Sequence, residues 1–189
     1  MPSVGYDLGY LRAGLAALES YLLSKELYWN LGASSPRGEP AYPPLTMSGL
    51  LLSQARLHAR SLDFSQRDEL ARIDEQMDEV RSRWRVAWDN KAAHDFRARL
   101  NLWRDFIEEY RERPEANADR YAYEVRLRVM LHLLASEASD IPVNETDLLA
   151  GLDRLLQAVF VPGDFIWEEE LSSGFPRDTY WYLYGNLKS

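Results

Sequence analysis

Three histidines are the only side chains here with the nitrogen chemistry of a transition-metal site. The chain has no cysteine, so thiolate ligands and cysteine catalysis are excluded. Facing helices of a bundle can hold a metal with histidine and carboxylate side chains. A site of this kind would use His58, His94 and His132. None of them follows an Asp or Glu by three or four positions, so we expect no metal or cofactor and keep the three-histidine site as an alternative.

A second candidate site is the arginine-rich segment 81–104, where seven basic residues accompany only two acidic ones. Guanidinium groups bind phosphates and tryptophans stack on bases, so this pattern suits an anionic ligand or a nucleic acid. The candidate residues are Arg81, Arg85, Trp88, Arg97 and Arg104. Segment 137–170 carries nine acids and one arginine, so pairing of the two segments is the competing interpretation. The net charge of −8 also argues against nucleic-acid binding.

Signatures of nucleophilic catalysis and of nucleotide binding are both missing from the sequence. It contains no G-x-S-x-G elbow, no P-loop and no G-x-G-x-x-G fingerprint. The many carboxylates show no spacing that singles out an acid/base pair. These observations favour a non-enzymatic helical interaction or scaffold module, with an anion-binding protein and a metal-dependent bundle enzyme as alternatives.

One long amphipathic helix over 65–113 would organise the fold. Apolar residues recur there at spacings of three and four, which is the helical period. They are Leu70, Ile73, Met77, Val80, Trp84, Trp88, Ala92, Phe96, Leu100, Trp103, Ile107 and Tyr110. The apolar face turns by about 100° between the two halves, since repeats of four residues drift around a helix of 3.6 residues per turn. We therefore expect a bend near Asp89 and Asn90, or else two shorter helices.

Length is the reason to expect a homodimer. At ~1.5 Å per residue the helix would be roughly 70 Å long, about twice the diameter of a compact domain of this size. The other predicted helices are too short to cover both halves of its apolar face. A second copy would cover the remainder through a symmetric interface.

Four more helices complete the prediction. They run from Asp7 to Leu27, from a Thr46 cap to Leu62, from Tyr121 to Leu134, and from an Asn144 cap to Phe160, while Ser65 caps the long helix. Segment 121–134 also alternates as a strand would. The spacing of Glu124 and Arg128 and the absence of a partner strand favour a helix.

The remaining segments are a proline-rich loop over 33–45 and an irregular aromatic tail over 163–189, with a short helix near Pro176. Aromatic side chains rarely stay in water, so the tail should pack on the bundle. The whole chain is thus predicted to be one all-α domain, a bundle of about five helices. No apolar run approaches the ~20 residues of a membrane span and no signal peptide is evident, so a soluble, cytoplasmic protein is expected.

Overall fold

The computed structural model describes residues 2–188, which form an all-α bundle with one small sheet attached. The helices are α1 (Val4–Leu23), α2 (Met47–Ala59), α3 (Phe64–Arg83), α4 (Arg85–Glu112), α5 (Pro114–Asn117), α6 (Tyr121–Glu124), α7 (Arg126–Glu137) and α8 (Val143–Val159). Strands β1 (Phe160–Phe165) and β2 (Tyr184–Leu187) pair antiparallel. The predicted all-α fold with an aromatic C-terminal region is confirmed.

The long helix is divided by one residue, Trp84. Its backbone leaves the helical region at φ −115° and ψ 36°, so α3 ends before it and α4 begins after it. Hydrogen bonds of helical spacing still cross the break, from Trp84 N to Val80 O (2.9 Å) and from Trp88 N to Trp84 O (2.8 Å). The predicted interruption is present, but it lies at Trp84. The sequence had suggested a position a few residues later, near Asp89 and Asn90.

Both halves of the long helix bury their apolar face within one chain. The buried apolar side chains are Leu70, Ile73 and Met77 on α3, and Trp88, Ala92, Phe96, Leu100, Trp103, Phe106, Ile107 and Tyr110 on α4. Helix α3 packs on α1, whereas α4 is surrounded by α1, α2, α7 and α8. The argument for a dimer from an uncovered half of this helix therefore loses its basis.

The ambiguous segment 121–134 is helical, as predicted, but it forms two helices, α6 and α7, that are separated at Val125. Leu127, Val129 and Leu131 are buried because α7 packs between α4 and α2, and Val125 just before it is also buried, whereas Tyr123 is 65% exposed. A central helix is apolar around most of its circumference, and that imitates the alternation of a strand.

Two predicted caps each lie two residues after the observed N-cap, while Thr46 caps α2 as expected. Asp63, not Ser65, caps α3, since its carboxylate accepts from Gln66 N (2.8 Å) and the Gln66 side chain accepts from Asp63 N (3.0 Å). This reciprocal pair is a capping box. Helix α8 begins at Val143, so Asn144 lies inside its first turn and caps nothing.

The ends of the first helix and the region after Pro176 also differ from the prediction. The first helix begins at Val4, capped by Ser3, and ends at Leu23. The predicted helix near Pro176 is replaced by a 3₁₀ turn at Trp181–Leu183. Leu152 and Leu156 are buried on α8, whereas Leu148 and Leu155 are partly exposed.

Two buried charges on α4 hold the ends of α1 and α2. Lys91 Nζ donates to the carbonyls of Ser24 (2.9 Å) and Glu26 (2.8 Å), just beyond the C-terminus of α1. One turn later the Asp95 carboxylate accepts from Ser48 N (2.7 Å), in the first turn of α2. Each charge has the sign that the dipole of the helix it holds favours.

The loop between α1 and α2 is held by backbone hydrogen bonds at its base and by side-chain packing along its length. Trp29 and Leu45 exchange backbone hydrogen bonds of 3.1 and 2.7 Å, which closes the proline-rich loop. Tyr42 folds back from the loop onto α1, where its hydroxyl occupies the space that a Cβ at Gly9 would need. The loop is therefore packed along the bundle.

The aromatic tail lies on the bundle, as predicted. Phe175, Tyr180 and Tyr182 are buried, and the carbonyl of Tyr182 accepts from Tyr121 Oη (2.6 Å). No helix within residues 2–188 combines the length and the apolar character needed to cross a membrane.

The cap assignments make a direct prediction. Asp63→Ala should lower the free energy of unfolding by about 1 kcal/mol, because the Gln66 amide at the start of α3 loses its acceptor. Asn144→Ala, the matched control, should change it by less than about 0.5 kcal/mol. Urea denaturation measures both, and a larger loss for Asn144→Ala would contradict these helix starts.

Candidate binding site

The arginines predicted to bind an anion are all paired with acids of the same chain. The pairs are Arg81 with Glu137 (3.1 Å), Arg85 with Asp89 (3.1 Å), Arg97 with Glu145, and Arg104 with Asp105 (2.9 Å). Trp88 is buried and donates its indole N–H to Glu137 (2.9 Å), so its ring is not available for stacking on a base. The five candidates thus do not form one open site. The competing interpretation, pairing with segment 137–170, holds for two of the arginines, Arg81 and Arg97.

The three histidines lie in three different environments. His58 pairs with Asp74 (3.0 Å), His94 is exposed beside a groove next to Lys91, and His132 packs edge-to-face on Tyr180 with ring centroids 4.8 Å apart. Within residues 2–188 no group of three or more histidine, aspartate or glutamate side chains is placed to hold a metal ion.

A buried ion pair between α1 and α2 is the polar cluster that the sequence did not reveal. Asp7 is completely buried, and its carboxylate accepts from both Nε (2.9 Å) and Nη2 of Arg56, which is also buried. Ser53 Oγ lies 3.1 Å from the same Nη2. A two-point Arg–carboxylate contact of this kind fixes the guanidinium rigidly.

Arg60 extends the buried cluster toward both ends of the chain. Its Nη1 donates to the carbonyl of Pro2 (2.7 Å), and its guanidinium also pairs with Glu168 (2.8 Å) and Glu170 (2.8 Å) of the C-terminal segment. Ser53, Arg56 and Arg60 share one face of α2 because they are spaced by three and four residues. This stripe is the only sequence signal that could have pointed to the cluster.

A cleft of about 220 Å³ opens beside this ion pair, between α1, α2 and the start of α7. Its polar lining consists of Tyr6, Tyr10, Ser53, Arg56, Tyr123 and Arg126, and we call it the tyrosine cleft. Leu52, Met130 and Pro43 supply apolar wall. A few converging polar groups on an apolar wall are typical of small-molecule sites.

The tyrosines on α1 reach the cleft because the backbone opposite is small. A Cβ at Gly49 would lie 2.6 Å from Tyr10 Oη, so glycine lets this hydroxyl approach α2 closely. Tyr10 Oη donates to Pro44 O (3.3 Å) and Tyr6 Oη to Ala41 O (3.4 Å), both long hydrogen bonds. Burial raises the pKa of both phenols, so they remain protonated donors at neutral pH.

Arg126 forms the rim of the cleft with Tyr123. Its guanidinium carbon lies 3.6 Å from the centroid of the Tyr123 ring, and its Nη1 donates to Tyr123 O (3.0 Å). Tyr123 is 65% exposed, so this stacked pair faces solvent. Among the described residues that line the cleft there is no Asp or Glu. The cleft therefore offers guanidinium and hydroxyl donors to whatever enters it.

No protein-family model matches this chain, and no curated protein or solved structure matches it. The site is therefore interpreted from its geometry alone.

The buried pair predicts a strong and non-additive loss of stability. Asp7→Ala should cost about 3–5 kcal/mol, since it leaves the Arg56 charge buried without its carboxylate. Arg56→Met should cost much less in the Asp7→Ala background than in the native chain. A double-mutant cycle by urea denaturation measures this coupling, and additive losses would contradict the pair.

His132 predicts a pH dependence of stability. Burial and the nearby Arg128 charge lower its pKa, so the folded chain disfavours protonated His132. Unfolding then takes up a proton at acidic pH, and stability should fall as pH drops below the unfolded-state pKa of about 6.5. Between pH 7 and 5 the melting temperature should fall less in His132→Gln than in His94→Gln, the control at an exposed histidine. An unchanged slope would contradict this assignment.

Proposed function

We propose that this chain is a non-enzymatic helical interaction module and that the tyrosine cleft is its point of recognition. The observation that carries the proposal is the convergence of two arginines on one cleft. Arg56 and Arg126 pair with Asp7 and Glu124, yet both line the tyrosine cleft, whose described lining residues include no Asp or Glu. Ligands gain most from donors that are already positioned and still accessible.

Rigidity supports binding rather than chemistry at this site. Arg56 is held by Asp7 and Ser53, and Arg126 by the Tyr123 ring and carbonyl. Among the described lining residues, Ser53 carries the one serine or threonine hydroxyl, and it lies next to a guanidinium, which cannot serve as a general base. A preorganised set of donors without a base is suited to recognition.

The proposal is tested by protein-observed NMR with a mixed set of neutral, anionic and cationic fragments of about ten heavy atoms. We expect millimolar binding, with amide shifts concentrated at residues of the tyrosine cleft. The internal control is the larger groove of about 430 Å³ beside Lys91 and His94, which should respond less. Shifts confined to that groove, or none at all, would overturn the proposal.

We also propose a second copy of the chain as a partner. The support is exposed apolar surface, which is greatest at Phe64 (80% exposed), Val86 (73%) and Val143 (73%). A symmetric contact between two copies would remove such surface from water. Light scattering at micromolar concentration should then give twice the single-chain mass of 21.9 kDa. A single-chain mass that persists on concentrating would remove the dimer and leave the cleft proposal intact.

A further inference from the structure

We infer that the group recognised in the tyrosine cleft is a carboxylate on a small apolar or aromatic arm. This inference rests on the proposed function, and it adds the chemistry of the ligand. Three observations support it: some guanidinium nitrogens have no hydrogen-bond partner among the described residues, nearby acids already compensate much of the arginine charge, and the cleft is small and partly apolar.

Arg126 keeps the edge of its guanidinium that binds carboxylates best. Its Nη1 is used by Tyr123 O (3.0 Å) and approaches Glu124 (3.4 Å). Its Nε and Nη2 have no hydrogen-bond partner within residues 2–188. These two nitrogens form the side of the fork that donates two parallel hydrogen bonds to a planar carboxylate.

Arg56 supplies a further donor that is already oriented. Asp7 and Ser53 use its Nε and Nη2, while Nη1 has no partner in the described part of the chain. Because the two-point contact with Asp7 fixes the side chain, a ligand would not have to order it. The hydroxyls of Tyr6 and Tyr10 line the same cleft, and each can donate to a second oxygen only by giving up its long hydrogen bond to a loop carbonyl.

Charge favours a monoanion over a phosphate. Arg56 is already paired with Asp7, and Arg126 lies near Glu124, which also pairs with Arg120 (3.2 Å). A phosphate monoester would bring close to two negative charges to guanidiniums that are largely compensated. A carboxylate brings one charge and two coplanar acceptors, which fits the free edge of Arg126.

The volume and the apolar wall of the cleft limit the size and the polarity of the group that is attached to the carboxylate. About 220 Å³ corresponds to roughly seven water molecules at ~30 Å³ each, which is room for a single ring or a short alkyl chain. Leu52 and Met130 provide apolar contact, and Tyr123 offers a ring face at the rim. Such a carboxylate can come from a free metabolite-sized acid or from the C-terminus of a peptide.

The test is calorimetric titration with phenylacetate, phenylacetamide and phenyl phosphate, each on the native chain, on Arg126→Gln and on Arg104→Gln. We expect phenylacetate to bind most tightly. Arg126→Gln should weaken it about 10- to 100-fold, as expected for loss of charge-assisted hydrogen bonds. Arg104→Gln, which removes a surface arginine paired with Asp105, should leave its affinity unchanged.

A second titration distinguishes a free acid from a peptide C-terminus as the source of the carboxylate. It uses acetyl-Gly-Gly-Phe as the free acid and as its amide. Tighter binding of the free-acid peptide than of phenylacetate assigns the site to chain termini, and the reverse order assigns it to free acids. Equal affinity for phenylacetate and phenylacetamide, or tighter binding of phenyl phosphate, would overturn the carboxylate while the cleft remains the site. Fragments that shift no cleft amide in the NMR experiment would instead overturn the proposed function itself.

Discussion

Two buried charges one turn apart on α4 hold the rest of this structure in place. The Lys91 ammonium binds carbonyls just beyond the end of α1, and the Asp95 carboxylate binds an amide at the start of α2. Both are almost fully buried, so replacing either leaves backbone groups or a charge without a partner in the core. Because α1 and α2 form two walls of the tyrosine cleft, the position of the cleft depends on these contacts.

The buried Asp7–Arg56 pair joins the same two helices closer to the cleft. Lys91 and Asp95 bind the ends of α1 and α2, whereas Asp7 of α1 binds Arg56 and so fixes which face of α2 packs against α1. Arg60, one turn further along, ties that face to Glu168 and Glu170 in the C-terminal segment. Buried ion pairs contribute little net stability compared with apolar packing. Their clear effect here is to hold guanidinium groups in one orientation.

The helices could be predicted from the sequence because each buries a stripe of regular period, as Leu70, Ile73 and Met77 do. Helix starts were less predictable, since Ser65 and Asn144 are good caps in isolation and only backbone geometry places the N-caps at Asp63 and Pro142 instead. The cleft was not predictable. Its residues come from segments more than a hundred positions apart, and no spacing rule brings Tyr6 and Arg126 together. Arginine density pointed instead to segment 81–104, where acids on α4 and in segment 137–170 already compensate the charge.

The most direct test of this account is amide hydrogen exchange in Asp95→Asn, which keeps the shape of the side chain and removes its charge. The account predicts faster exchange at Ser48, at the bridge between Trp29 and Leu45, and along the first turn of α2, with α8 unchanged. Unchanged exchange at Ser48 and at the bridge would show that α4 does not hold these elements, and it would contradict the account.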